Sequence, residues 1–157
     1  MARFAALGLL LLVAAPPALG QDRANSDVCF QTQTAALRLA QLDDAIARCT
    51  VIIDDRATAA SLRGEALGQR GVMHGRRWSI VEIPQDAVQG IADITEGFRL
   101  HAPSEERRRQ LVLVRAELCA ATGQTRRATE DFRDVLAGDP ANAIARAGLR
   151  RLGEPGL

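Results

Sequence analysis

The chain has 157 residues, the usual length of one domain, and its hydrophobic (47%) and charged (25%) fractions are those of an ordinary globular protein. All 20 basic residues are arginine, and 19 acidic residues balance them to a formal net charge of +1. Because a near-neutral domain lacks the field that attracts nucleic acid or anionic lipid, neither partner is expected. Aromatic residues make up only 3%, and the abundance of alanine and leucine favours helices over sheets.

The first twenty residues have the layout of a secretory signal peptide. One positive charge at Arg3 precedes an apolar run over 4–15, and Ala18 and Gly20 are small residues of the kind that signal peptidase requires, which predicts cleavage before Gln21. The alternative is a membrane anchor, but about a dozen apolar residues are fewer than the roughly 20 that a spanning helix needs. We therefore expect a periplasmic or secreted protein without stable membrane insertion after cleavage.

The remaining sequence predicts seven helices joined by short turns. Apolar residues at spacings of three and four, with capping residues before them and glycine or proline after them, predict the helices 27–40, 43–54, 57–74, 84–100, 104–123, 125–136 and 141–152. Asp43 is the expected cap of the second helix. The segment 75–83 is predicted to be an irregular connection, because it combines glycine and two arginines with a short β-branched run ahead of Pro84.

The last third of the chain has the residue pattern of a helical hairpin with small residues at the contact. Ala116 and Ala128 would allow two antiparallel helices to approach closely, and Phe132 would fill the gap between them before Pro140 ends the unit. Together with Arg115, these residues resemble one tetratricopeptide repeat at nearly every diagnostic position. The alternative is an unrelated helical bundle whose alanine and glycine spacing imitates the family.

The same order of residues recurs twice more, in Arg70-Gly71, Gly90 and Asp93-Ile94, and more faintly around Ala45 and Cys49. Ala45, Gly90 and Ala128 would be equivalent, but they lie 45 and 38 residues apart, whereas the family repeat has about 34. The middle unit must therefore contain an insertion, which we place at 75–83. The resemblance implies an all-α superhelix, or solenoid, of about three hairpins over 27–55, 57–102 and 104–138, with a capping helix over 140–152.

Three cysteines in an exported chain allow one internal disulfide and one spare thiol. Cys29 and Cys49 would face each other across an antiparallel helix pair that turns near Leu42, so we expect these two to be bonded. The alternative is that both are small buried apolar residues. Cys119 is expected to be a buried free thiol on the packed face of its helix.

No catalytic, cofactor or metal motif is found in the sequence. The two histidines, His74 and His101, lie in no nucleophile motif and are expected to face solvent or end a helix. No CxxC occurs, so neither a metal nor a cofactor is expected. The run 107–109 consists of arginines that follow two glutamates, which favours a solvated, self-compensated helix face over an anion site.

The resemblance to tetratricopeptide proteins implies a concave groove, lined by the first helix of each pair, that holds a peptide or protein segment. Carried over to this sequence, the candidate groove residues are Arg38, Glu65, Gln110, Leu113 and Glu117. Trp78 is a further contact candidate, because tryptophan beside arginine is enriched in interfaces, although lone tryptophans usually pack. The expected function is a non-catalytic scaffold or adaptor of the cell envelope. The alternatives are a small envelope hydrolase that uses groove carboxylates and a structural subunit of a larger assembly.

Overall fold

A computed structural model describes residues 19–31 and 36–154, and this part of the chain is all-helical, as the composition and periodicity predict. No helix within it is both long and apolar enough to span a membrane. The helices in the described residues are α1 (Leu19–Cys29), α2 (Leu39–Asp54), α3 (Ala60–Val81), α4 (Pro84–Leu100), α5 (Glu105–Ala121), α6 (Thr125–Gly138) and α7 (Ala143–Arg151).

The starts of α4, α5 and α7 follow from local chemistry that is visible in the sequence. Pro84 occupies the first turn of α4, where a missing N–H costs nothing. Ser104 caps α5 by accepting a hydrogen bond from the backbone of Arg107 at 3.3 Å, and the Asn142 side chain caps α7 in the same way. Each of these helices was therefore predicted to within a few residues of its ends.

The predicted helix over 27–40 is wrong. α1 ends at Cys29, and the chain does not enter α2 until Leu39, so Asp43 lies inside α2 rather than capping it. Phe30 and Leu37 pack against the core cluster around the first two helices, and these contacts outweigh the local helical periodicity. The predicted leader falls on residues outside the described part of the chain, except for its last two residues, which begin α1.

The predicted irregular connection over 75–83 is also wrong. α3 continues to Val81, and only Glu82 and Ile83 separate it from α4. The extra residues therefore lengthen a hairpin: α3 and α4 have 22 and 17 residues, whereas α5 and α6 have 17 and 14. Gly75 and Trp78 pack towards α5 and the core, which explains why this stretch is helical despite its composition.

Glycines on α3 allow α4 to approach it closely. A Cβ atom added to Gly71 would lie 3.0 Å from the carbonyl oxygen of Gly90, and one added to Gly90 would lie 3.1 Å from that of Gly71. Gly64 and Gly97 face each other in the same manner seven residues away, about two turns along each helix. These glycines lower the helix propensity of α3, but they make possible the most extensive helix contact in the described chain.

Consecutive helices pack against each other along the chain, and a second set of contacts joins alternate helices. α1 contacts α3, α3 contacts α5, and α5 contacts α7. Among the described residues, no contact of that extent joins α2 with α4 or α4 with α6. The odd-numbered helices thus lie next to one another and form one layer, and the even-numbered helices α2, α4 and α6 each pack against their odd-numbered hairpin partner.

The core of the described chain forms two clusters, one around α1 to α3 and one around α4 to α7. Ala116, Ala128 and Phe132 are fully buried in the second cluster. Cys119 is buried in the same cluster and is free, as expected.

Cys29 and Cys49 form the predicted pair, with their sulfur atoms at disulfide distance and their Cα atoms 4.9 Å apart. The local geometry differs from the prediction, because Cys29 is the last residue of α1 and not part of the first turn of a helix. The bond joins α1 to α2 within the first core cluster. It therefore links covalently the two helices of the hairpin whose repeat pattern is weakest in the sequence.

Thiol titration should distinguish the three cysteines. Burial raises the pKa of the Cys119 thiol, and the nearby Asp131 carboxylate acts in the same direction, so the native protein should react very slowly with iodoacetamide at pH 8. In denaturant without reductant we expect one thiol per chain to be alkylated, and after reduction all three. Mass spectrometry of the alkylated protein measures this, and rapid labelling in the native state would contradict the burial of Cys119.

Candidate functional site

Two hairpins are held by the same buried ion pair at equivalent positions of the predicted repeat. The Arg70 side chain of α3 donates to both carboxylate oxygens of Asp93 in α4, at 2.7 and 2.8 Å. Arg115 of α5 does the same to Asp131 of α6, at 2.8 and 2.7 Å. Both arginines precede the small residue of their helix, and both aspartates follow the small residue of the partner helix by three positions. Each pair joins the two helices of one hairpin, α3 to α4 and α5 to α6.

The lengthened α3/α4 hairpin contains a buried polar network that the sequence did not reveal. His74 was expected to face solvent or end a helix, but it lies buried inside α3, with Nδ1 2.8 Å from Asp86 of α4. Arg77 also bonds to Asp86, at 2.6 Å, and reaches Asp43 of α2 at 2.7 Å. His74 is buried because it faces α4 at Gly90, where the two helices approach each other closely.

A groove runs between α3 and α5 on the side where the odd-numbered helices meet. Its residues recur at spacings of three, four and seven, which places them on one stripe of each helix. We call this surface the α3/α5 groove and define it by Glu65, Val72, Arg76 and Ser79 of α3 and Arg107, Val114 and Glu117 of α5.

One end of the α3/α5 groove is an open cavity of about 340 Å³, which we call the apolar cavity. Its lining is mostly aliphatic and aromatic, and it consists of Val72, Gly75, Arg76, Trp78, Ser79, Val114, Glu117 and Leu118. Trp78 also packs against the second core cluster, so its ring serves both as packing and as cavity wall. A pocket of this size and polarity can hold one large apolar side chain.

Glu117 is the acidic group of the apolar cavity. Its side chain is half-buried, and burial raises the pKa of this carboxyl, although the charge of Arg151 opposes the shift. Within the described residues, no hydrogen bond or ion pair reaches the Glu117 side chain. A partly desolvated carboxylate without a direct partner is stabilised by a cation that binds beside it.

The other end of the α3/α5 groove is a polar cavity of about 350 Å³. Phe30, Pro103 and Ser104 form part of its wall, and Glu65, His101 and Arg107 supply its charged groups. The His101 ring nitrogen Nε2 lies 3.5 Å from the Glu65 carboxylate. His101 follows the last residue of α4, which agrees with the prediction that it ends a helix.

Arg107 is the basic group of the polar cavity, and it corrects the prediction that the arginine run is a solvated face. Arg108 and Arg109 do pair with Glu105 and Glu106 of their own helix. Arg107 instead turns into the groove. Its guanidinium donates to two neutral amide oxygens, those of Gln69 and Gln110. Burial lowers the pKa of Arg107, while the charge of Glu65 acts in the opposite direction.

The predicted groove residues fall in three different settings. Glu65, Glu117 and Trp78 line cavities of the α3/α5 groove. Gln110 lies on the exposed edge of α5, where it bonds to Arg107 and Glu106. Leu113 packs against the second core cluster instead. Arg38 is the N-cap of α2 and lines neither cavity, because the first predicted helix was misplaced.

Sequence reasoning missed Val72, Val114 and Arg107. The signal that identifies them is the shared stripe, since 65, 72, 76 and 79 on α3 and 107, 114 and 117 on α5 follow the spacing of one helix face. In the described part of the chain, no group of histidine, cysteine or acidic side chains is arranged to hold a metal ion. No protein-family model matches the chain, and neither a curated protein nor a solved structure matches it.

Proposed function

We propose that the chain is an exported, non-catalytic scaffold or adaptor of the cell envelope that binds a peptide or protein segment in the α3/α5 groove. The observation that carries this proposal is the apolar cavity between two first helices of successive hairpins, with the polar cavity further along the same face. A surface with one apolar pocket and convergent polar groups is the usual form of a binding site.

Two observations support a tetratricopeptide-like superhelix. Arg70 and Arg115 are 45 residues apart and make the same bidentate ion pair across their hairpins. The lateral contacts join odd-numbered helices, which is the arrangement expected when hairpins stack in register and their first helices line one face.

Two further observations support export. The first twenty residues have the layout of a signal peptide, and the Cys29–Cys49 pair is at disulfide distance. Stable disulfides form mainly in the periplasm and outside the cell. An exported location also accounts for the use of a covalent bond in the hairpin with the weakest repeat pattern.

The alternative of a small envelope hydrolase receives less support from the groove. A carboxylate pair that acts on a glycosidic bond must stand within about 10 Å on either side of it. Glu65 and Glu117, the acids of the α3/α5 groove, line different cavities. Binding along the groove does not require the two carboxylates to converge on one bond, whereas hydrolysis by a carboxylate pair does.

Filling the apolar cavity should abolish partner binding without unfolding the protein. Ser79 is exposed at the rim of the cavity, so Ser79→Trp places an indole in the binding space and leaves the core intact. Ser61→Trp, at an exposed position on the same helix outside the cavity, is the matched control. We expect Ser61→Trp to capture the same proteins from an envelope extract as the wild type. Ser79→Trp should capture at least tenfold less of each.

Capture is quantified by mass spectrometry of the bound fraction, and circular dichroism checks that both variants keep the helical content of the wild type. If Ser79→Trp captured the same proteins in the same amounts as the control, the α3/α5 groove would not be the binding site. Turnover of peptide, glycan or ester substrates that is lost with a single carboxylate substitution would instead favour the hydrolase.

A further inference from the structure

The two ends of the α3/α5 groove differ in charge as well as in shape, and this difference specifies the ligand. We propose, building on the function proposed above, that the groove binds an extended peptide segment carrying a basic residue beside a large aliphatic one, with an acidic residue further along. The separation between the basic and acidic residues is about four or five positions.

The apolar cavity selects the aliphatic residue. Val72, Val114 and Leu118 line it from two helices, and Trp78 adds a flat apolar wall. Removing an aliphatic side chain from water into such a pocket is favourable in proportion to the area buried. The cavity is open to solvent on one side, so the backbone of the ligand can remain outside while one side chain enters.

Glu117 selects the basic residue. It lies in the wall of the apolar cavity and has no hydrogen bond or ion pair within the described residues. Arg76 lines the same cavity, but it is exposed and bonds to Ser79, and Arg151 on α7 is exposed as well. Water and salt weaken the influence of exposed charges, so a ligand cation seated beside Glu117 would make the closer contact.

Arg107 selects the acidic residue. Its direct hydrogen-bond partners are the amide oxygens of Gln69 and Gln110, so among the described residues no carboxylate is bonded to its guanidinium. Glu65, the nearest acid in the polar cavity, is engaged with His101. A guanidinium recognises a carboxylate through two parallel hydrogen bonds, so a ligand carboxylate is the group that fits this position.

The spacing follows from helix geometry. Arg107 and Glu117 are ten residues apart on α5, which corresponds to about 15 Å along the helix axis at 1.5 Å per residue. An extended peptide advances about 3.3 Å per residue, so about four or five positions span that distance. A ligand that lies along α5 can therefore engage both charged groups while its aliphatic side chain fills the apolar cavity.

A peptide library tests this proposal. The probe is a pool of random nonapeptides, blocked at both ends, passed over immobilised protein that has been expressed from its complete sequence. We expect enrichment of peptides with lysine or arginine adjacent to leucine, isoleucine or methionine, and with aspartate or glutamate about four or five positions away. Binding of the enriched peptides should weaken as salt is raised, because two charge contacts contribute.

Two single substitutions assign the two charges. Glu117→Gln should remove the preference for the basic residue and leave the acidic preference, and Arg107→Gln should do the reverse, with about tenfold weaker binding of the enriched peptide in each case. Glu130→Gln, at an exposed position on α6, should change neither preference. The dissociation constants are measured by fluorescence anisotropy with one enriched peptide.

The outcomes separate this inference from the proposed function. Enrichment of aliphatic peptides without a charge pattern, lost with Ser79→Trp, would overturn the charge assignment and leave the groove as a binding site. A charge pattern that both glutamine variants retain would also overturn it. If no peptide is enriched, or if Ser79→Trp enriches the same peptides as the wild type, both the inference and peptide binding by the groove are wrong.

Discussion

We expect Asp93→Ala to lower the free energy of unfolding by about 3–5 kcal/mol, because it leaves a buried guanidinium without its counter-ion. Asp93 is 2% exposed and accepts three hydrogen bonds, two from Arg70 and one from Gln89. Arg70 also donates to Thr50, so the same arginine links α2 to the α3/α4 hairpin. Urea denaturation followed by circular dichroism measures the change.

Two controls separate the ion pair from general damage to the hairpin. The double variant Arg70→Met with Asp93→Leu removes both charges and should recover most of the loss, because a buried ion pair is often no more stable than apolar residues of similar volume. Glu96→Ala breaks an exposed pair with Arg99 on the same helix, and it should leave the urea midpoint nearly unchanged. A loss with the double variant as large as that of Asp93→Ala would contradict the explanation.

The helices of the second half were predictable because their signals are local. Pro84 and Ser104 mark helix starts through their own backbone or side-chain chemistry, and no distant contact is needed to recognise them. The first hairpin was not predictable in this way. The apolar residues after Cys29 have helical spacing, yet Phe30 and Leu37 are used to cover the core around a bond between α1 and α2.

The prediction of a loop over 75–83 was wrong for the opposite reason. Its glycine and β-branched residues lower helix propensity, but packing of Gly75 and Trp78 against α5 and the core compensates. Helix propensity alone therefore underestimated the length of α3, because it does not include these tertiary contacts. Residues 75–81 continue α3 instead of forming a loop, and the α3/α4 hairpin is longer than the α5/α6 hairpin.

Three of the residues proposed from the sequence line cavities of the α3/α5 groove. Glu65 and Glu117 were proposed from the helix face that the repeat pattern assigns to the groove, and Trp78 from its place beside two arginines. Arg107 and His74 were misjudged because a charged residue looks the same in sequence whether its helix face meets solvent or another helix. Only the packing of α3 against its neighbours decides that question.

Gly148→Ala should lower the free energy of unfolding by about 1–3 kcal/mol through overpacking, although alanine is the better helix former. A Cβ atom at Gly148 would overlap three ring atoms of Phe132, which is fully buried between α6 and its neighbours. Gly138→Ala is the matched control, because the three atoms nearest to its new Cβ all belong to the flexible Arg109 side chain, which can move away.

A double-mutant cycle shows whether the Phe132 ring is the cause. In Phe132→Leu the ring is gone, so adding Gly148→Ala should cost less than it does in the wild type. The midpoints of urea denaturation for the four proteins give this coupling. Strictly additive losses would mean that Gly148 is required for a reason other than the Phe132 ring. The backbone of α7 would then not owe its packing on the second core cluster to contact with Phe132.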